Sequence, residues 1–316
     1  MSADSRDIFT LIRDWEQGGH DFALAIVVST WGSSPRQAGS LMAIRKDGLI
    51  EGSVSGGCVE GSVIHSANEL MDKGGAADLE FGVADEMAWQ VGLSCGGKIR
   101  IWVFPHTSMD KDLIRLASDA INQRRHLYID CHMTHQQMQL STSDQINKLG
   151  EDADCFHLAV LPQPRLFIIG AVHISQHLAP MAKAVGFDVT VIDPRETFAR
   201  QARFPDITIR ADWPEGALKD IIIDKDTACV TLTHDPKIDD DALKIILAAQ
   251  PFYVACLGSR KTHAARRARL SQYGFEDNII DRIYGPAGLD IGAKTPAEIA
   301  VSVLAELVAA YRGMAR

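Results

Sequence analysis

Leu166-Phe167-Ile168-Ile169-Gly170-Ala171-Val172-His173-Ile174-Ser175 decides the fold of the second half of this chain. A short apolar run that ends in glycine reads as a buried strand stopping at a tight turn. Ile174, Leu178, Met181 and Val185 then recur at helical spacing, crossed by Pro180, which predicts a kink, and closed by Gly186. Val189-Thr190-Val191-Ile192-Asp193 is the next strand; others are predicted at residues 207–210, 228–231 and 252–257, with a helix over 240–249. Strands alternating with helices predict a Rossmann-like doubly wound parallel sheet. Asp193 lies 23 residues after Gly170, where a dinucleotide-binding unit keeps the acid that receives a ribose hydroxyl. Val172, however, stands where a second glycine would let pyrophosphate approach the backbone, so tight NAD(P) binding is not expected. His173 at the helix start has two readings, a phosphate contact or a cap of the turn.

The first half reads as a mixed α/β domain. A helix is predicted over residues 7–16 and a buried strand over 22–29. A turn-rich loop, residues 30–40, carries Ser33, Ser34 and Arg36; no histidine and acid stand at triad spacing, and Arg36 reads as an anion contact or a loop anchor. Residues 41–44 and 49–52 flank Lys46-Asp47-Gly48 as a hairpin. Ser55-Gly56-Gly57-Cys58-Val59-Glu60 follows, with Val59, Val63, Ala67 and Leu70 marking a helix whose first turn is expected to hold the thiol. Ser94-Cys95-Gly96-Gly97-Lys98 precedes the alternating strand 98–104. Residues 107–126 read as helical, and residues 134–154 as a polar segment without a core pattern. The boundary is set near Pro162 and Pro164, which gives domains 1–162 and 163–316.

Composition limits the partners. The 316 residues carry 32 Lys plus Arg against 41 Asp plus Glu, a net charge of −9, which argues against nucleic acid or an anionic membrane. The amino-terminal residues lack the blocks of a secretory signal, and no apolar run approaches the roughly 18 residues that span a bilayer. A cytoplasmic location is therefore expected. Six cysteines without a CxxC pair are expected to remain reduced.

Cys58 and Cys95 are soft ligands framed by Gly56, Gly57, Gly96 and Gly97, on backbone that a ligand can approach closely. A helix start favours thiolate, while Glu60 opposes it; the competing reading makes Cys58 a small hydrophobe filling a turn. Leu257-Gly258-Ser259-Arg260-Lys261 offers a second site, a glycine turn that opens a helix with basic residues able to hold phosphate. Arg266, Arg267 and Arg269 extend this basic stretch and read equally well as a solvated helix face. Cys131-His132-Met133-Thr134-His135 and the pair His173 and His177 contain metal-ligating types, but neither has a third and fourth partner nearby in the sequence.

Gly32-Ser33-Ser34-Pro35-Arg36, residues 52–60 and the terminal stretch Gly288-Leu289-Asp290-Ile291-Gly292-Ala293-Lys294-Thr295-Pro296-Ala297-Glu298-Ile299-Ala300 together resemble the XdhC/CoxI family of accessory factors for xanthine dehydrogenase and related molybdenum hydroxylases. The resemblance implies a chaperone without turnover chemistry of its own. It would bind and protect molybdenum cofactor (molybdopterin), assist its sulfuration with a cysteine desulfurase, and deliver it to an apo-molybdoenzyme of the xanthine oxidase family. Cys58 and Cys95 correspond to the family's glycine-flanked cysteines and are expected to reach the molybdenum of the cofactor. Arg36, Arg260 or Lys261 would hold the terminal phosphate in a cleft between the domains, and a homodimer is the expected assembly. Val172 departs from the Gly-Ala-Gly-His of the family. Two other readings stay open, a protein–protein adaptor with a vestigial cleft and an NAD(P)-dependent oxidoreductase.

Overall fold

The computed structural model describes residues 4–32, 36–82, 97–150 and 152–314, and the chain divides into two compact units, Met1–Pro162 and Gln163–Arg316. In the first unit, helix α1 (Asp4–Gln17) leads into β1 (Phe22–Trp31), β2 (Leu41–Arg45), β3 (Ile50–Gly52), α2 (Glu60–Lys73), β4 (Ala77–Phe81) and β5 (Lys98–Pro105). Then come α3 (Leu113–Asn122), β6 (Leu127–His132), β7 (Gln137–Leu140), β8 (Lys148–Leu149) and β9 (Cys155–Val160). The strands form two antiparallel sheets, ordered β3-β2-β1-β5-β4 and β7-β6-β9-β8.

β1 is a continuous apolar run because both of its faces are covered. Phe22, Leu24 and Ile26 pack with Ile8 and Ile12 of α1, Leu113 of α3 and Leu158 of β9. Ala23, Ala25 and Val27 face Val63 and Ala67 of α2. β1 runs two residues beyond the predicted end, past a shift in its pairing with β5 between Val27 and Ser29, and finishes at the exposed Trp31. Two other expectations are corrected. The helix predicted over 107–126 is confined to α3, preceded by a 3-10 turn, His106–Ser108. The polar stretch 134–154 carries β7 and β8, where buried Met138 pairs across from Cys131.

The second unit contains β10 (Arg165–Ile169), α4 (His173–Ala184), β11 (Asp188–Ile192), β12 (Thr208–Arg210), α5 (Pro214–Leu218), β13 (Thr227–Thr231) and α6 (Pro236–Ala248). It continues through β14 (Tyr253–Cys256), α7 (Arg260–Gln272), α8 (Asp277–Ile280), β15 (Ile283–Tyr284) and α9 (Pro296–Tyr311). Its sheet is wholly parallel, ordered β12-β11-β10-β13-β14-β15, so the chain winds outward in both directions from the β10–β13 pair. This is the Rossmann order, and α4 and α9 cover one face while α5 and α6 cover the other. Pro180 lies inside α4, which nevertheless continues to Ala184. Among the described residues, no helix is long and apolar enough to cross a membrane.

Helix α9 starts with a capping box in which Thr295 and Glu298 exchange side-chain bonds with each other's amides. Further along, the buried Glu306 accepts from the Tyr253 hydroxyl at 2.8 Å and the Gly288 amide at 2.9 Å, tying α9 to β14 and to the loop before the helix. Replacing Glu306 with alanine removes both of these buried charge-assisted bonds and is expected to cost about 2 to 4 kcal/mol. Urea unfolding of the Glu306→Ala variant, with the slope of the transition unchanged, checks this.

Candidate functional site

The loop that carries Cys58 is folded around a carboxylate. Glu60, the first residue of α2, accepts from the Ser53 hydroxyl at 2.7 Å, from the Ser55 hydroxyl at 2.5 Å, and from the amides of Ser55, Gly56 and Gly57 at 2.9 to 3.0 Å. Ser55 Oγ in turn accepts from the amides of Cys58 and Val59, both at 3.1 Å. Burial opposes the charge on Glu60, but the bonds from Ser55 and Ser53 outweigh it and bring the carboxyl down to about 2. Positive φ values of 89° at Gly56 and 117° at Gly57 let successive amides turn toward one centre, which a side chain would strain. The helix therefore starts at Glu60, and Cys58 precedes it instead of lying in its first turn as expected.

The amides of the loop that leads into α2, from Ser55 to Val59, are thus filled internally. Cys58 is half-buried, packed on one side against the cluster formed by β1, β5 and α2, while Gly56 and Gly57 are exposed. Among the described residues, a Cβ added at Gly57 would meet nothing within 4 Å. What the loop offers a ligand is a sulfur atom on a rigid frame. Arg36 is also half-buried, whereas Ser34 and Cys95 lie outside the described residues.

In the second unit, Gly170 takes φ +110° directly beneath the β13–α6 connection, and a Cβ there would press on Thr233. Asp193 is fully buried. It accepts from the Ala171 amide at 2.8 Å, the Arg195 amide at 2.9 Å, and the Arg195 guanidinium at 2.7 and 2.8 Å. Burial opposes its ionisation, yet the Arg195 bonds prevail and hold the carboxyl below its ordinary value. Both oxygens are thus taken up by donors of the chain itself. Val172 caps α4 without a side-chain bond, and the exposed His173 stacks on His177 with ring centroids 5.2 Å apart.

The basic stretch of α7 separates into two parts. Arg269 binds Asp240 at 2.5 and 3.0 Å, Arg267 binds Asp281 at 2.5 Å, and Arg266 is only 2% exposed, reaching the Leu257 carbonyl at 3.2 Å. These three fasten α7 to its neighbours, which corrects the reading of a solvated face. Arg260 and Lys261 remain exposed at the first turn, behind Gly258 at φ +138° and the N-cap Ser259, whose hydroxyl accepts from the Thr262 amide at 3.1 Å. Arg260 borders a groove of about 780 Å³ whose other walls are residues 285–293 together with Leu257, Ile299 and Ser302. The fold thus brings the terminal glycine-rich stretch and the Gly258-Ser259-Arg260 turn to one place. Gly288 is obligatory there, since φ is +95° and a Cβ would collide with Ser302 Oγ. Leu289 and Ile291 project exposed apolar surface at the groove, 37% and 54% accessible, beside Asp290.

Two family models match in tandem, the XdhC and CoxI family over residues 15–82 and the XdhC Rossmann domain over residues 166–307. The chain belongs to the XdhC and CoxI family. Molybdenum cofactor insertion chaperone PaoD of Escherichia coli is 27% identical to this family member over 97% of the chain and 89% of its own length. A Bacillus subtilis protein described as a probable xanthine dehydrogenase subunit is 28% identical over 94% of each chain. A solved structure described as a xanthine dehydrogenase, from Bacillus halodurans, shares the fold with a TM-score of 0.74 at 24% identity, covering 100% of this chain and 97% of that one.

For this XdhC/CoxI chain, sequence reasoning noted Glu60 only as a charge near the thiol and missed its role as the centre of the loop. The signal was present, two serines and two glycines within seven residues before an acid at a helix start. Leu289, Ile291 and Ser302 were missed as groove residues, because only the return of α9 onto β14 brings them beside Arg260. The carboxyl of Glu60 is lowered from 4.5 to about 2, so its stabilisation is complete above 4.5 and fades as pH falls toward 2. The stability advantage of the natural chain over Glu60→Gln, measured by denaturant midpoints across pH, is expected to be constant near neutrality and to shrink below 4.5.

Proposed function

We propose that this chain is a maturation factor that binds molybdenum cofactor and hands it to an apo-molybdoenzyme of the xanthine oxidase family. One observation carries the reading. Arg260, exposed at a glycine turn, borders a groove walled by residues 285–293, of which Gly288 to Ala293 open the terminal stretch that resembles the family, in a chain aligned nearly end to end with a molybdenum cofactor insertion chaperone. A phosphorylated, planar heterocycle suits that groove, with cationic side chains for the phosphate and Leu289 and Ile291 for the ring system. On the first unit, the thiol of Cys58 is a separate soft ligand for molybdenum or sulfur. Exchange of an oxo ligand for sulfido, with a cysteine desulfurase as sulfur source, belongs to the same proposal, as does a homodimeric assembly. A nicotinamide role is disfavoured by Val172 and by the internally bonded Asp193.

The chain purified from cells that make the cofactor is expected to retain pterin and molybdenum. Loss of a charge-assisted phosphate contact costs about 2 kcal/mol, so Arg260→Ala with Lys261→Ala is expected to lower cofactor affinity about tenfold or more. Cys58→Ser should keep its fold, since Glu60 and not sulfur holds the loop, while losing molybdenum or sulfide content. No cofactor above background in the natural chain, or saturable NADH or NADPH binding in a fluorescence titration, would refute the proposal.

A further inference from the structure

A face of the smaller sheet in the first unit gathers donor atoms that serve no other purpose described above. β6 and β9 pair antiparallel with Asp130 opposite His157 and His132 opposite Cys155. Alternate residues of a strand share a face, so these four side chains lie together on one side of two neighbouring strands. The other side presents Ile129, Cys131, Phe156 and Leu158 to the core, so the four donors are on the outer face. One oxygen of Asp130, the sulfur of Cys155 and a ring nitrogen of His157 lie within 4.8 Å of one another. His132 Nε2 stands 3.9 Å from Cys155 Sγ, close to the roughly 3.6 Å edge between sulfur and nitrogen in a tetrahedral zinc site. His157 Nδ1 is 2.7 Å from Asp130 Oδ1, and both side chains are only 16% and 17% exposed.

The geometry points to a transition-metal site, formed by Asp130, His132, Cys155 and His157, for a borderline-soft divalent cation such as zinc. One sulfur, two imidazoles and one carboxylate form the donor set that zinc accepts in four-coordinate sites. Cys155 and His157 also line a recess of about 380 Å³ that gives an ion a way in. Asp152 lines the same recess and Asp154 adjoins Cys155, so carboxylates outnumber the opposing charge of Lys148, which β8 sets across from His157. A plain cross-strand ion pair accounts for Asp130 with His157, but not for the thiol beside them; His132, whose Nε2 lies 3.9 Å from that sulfur and 3.4 Å from Gln139 Nε2, would turn in as the fourth ligand. Sequence around His132 offered no third or fourth ligand; strand pairing supplies them from residues 155 and 157. On ligation the Cys155 thiol gives its proton to solvent, with no change in oxidation state.

The test uses the full chain, stripped with chelator under reducing conditions and titrated with cobalt(II). One ion per chain is expected, with intense visible bands of tetrahedral cobalt and a near-ultraviolet thiolate-to-cobalt band, both abolished by added zinc. Cys155→Ser should remove the charge-transfer band, His132→Gln and His157→Gln should each weaken binding about tenfold or more, and Cys58→Ser should leave the spectrum unchanged. If Cys155→Ser does not fold by circular dichroism, the two histidine variants carry the test. The proposal is overturned if cobalt gives only the pale spectrum of an octahedral aquo ion, or if the charge-transfer band follows Cys58 instead of Cys155. It also fails if both histidine variants bind cobalt as tightly as the natural chain.

Discussion

A single carboxylate sets the conformation on which the thiol loop depends. Residues 53–59 contain two glycines in left-handed conformations and neither a strand nor a helix of their own, so nothing intrinsic holds them in one shape. Glu60 supplies the missing centre by collecting two hydroxyls and four amides. Because Glu60 takes up the loop amides itself, the turn before α2 does not offer them to an anion, as glycine turns at helix starts commonly do. In the proposed function, recognition at this loop passes to the sulfur of Cys58.

The second unit repeats this solution. Its strand order is that of a dinucleotide-binding fold, and Asp193 stands at the end of β11 where an acid meets a ribose. Arg195 and the Ala171 amide fill that carboxylate instead, and the Arg195 guanidinium rests on Phe198 at 4.3 Å. In both units an internal acid occupies a place where related architectures keep a ligand. The second unit's groove lies instead at the ends of β14 and β15, where Arg260 and the loop anchored by Glu306 enclose it. Inheritance of a scaffold and inheritance of its ligand are separate matters here.

Local periodicity made much of this legible. The strands of the parallel sheet are short apolar runs bounded by glycines and polar turns, and the capping box at Thr295 announced α9. What stayed hidden depends on residues far apart in the chain. Arg269 finds its acid 29 positions upstream, and Arg267 finds Asp281 14 positions downstream, so a run of arginines looked like a solvated face until the tertiary partners appeared. Pairing in the smaller sheet joins Asp130 and His132 with residues more than twenty positions away, and no window of sequence displays that. Glu60 was missed for the opposite reason, since its partners are adjacent but its role depends on loop dihedrals. Cys95 and Ser34, which the sequence also favoured, lie outside the described residues.

The parallel sheet ends on very short margins, with three residues in β12 and two in β15. Unpaired strand margins are templates on which a neighbouring molecule can add its own backbone, and brevity removes that opportunity. In the carrier role proposed above, a chain that waits empty for a scarce cargo is thereby kept from polymerising through its own exposed amides and carbonyls during the interval.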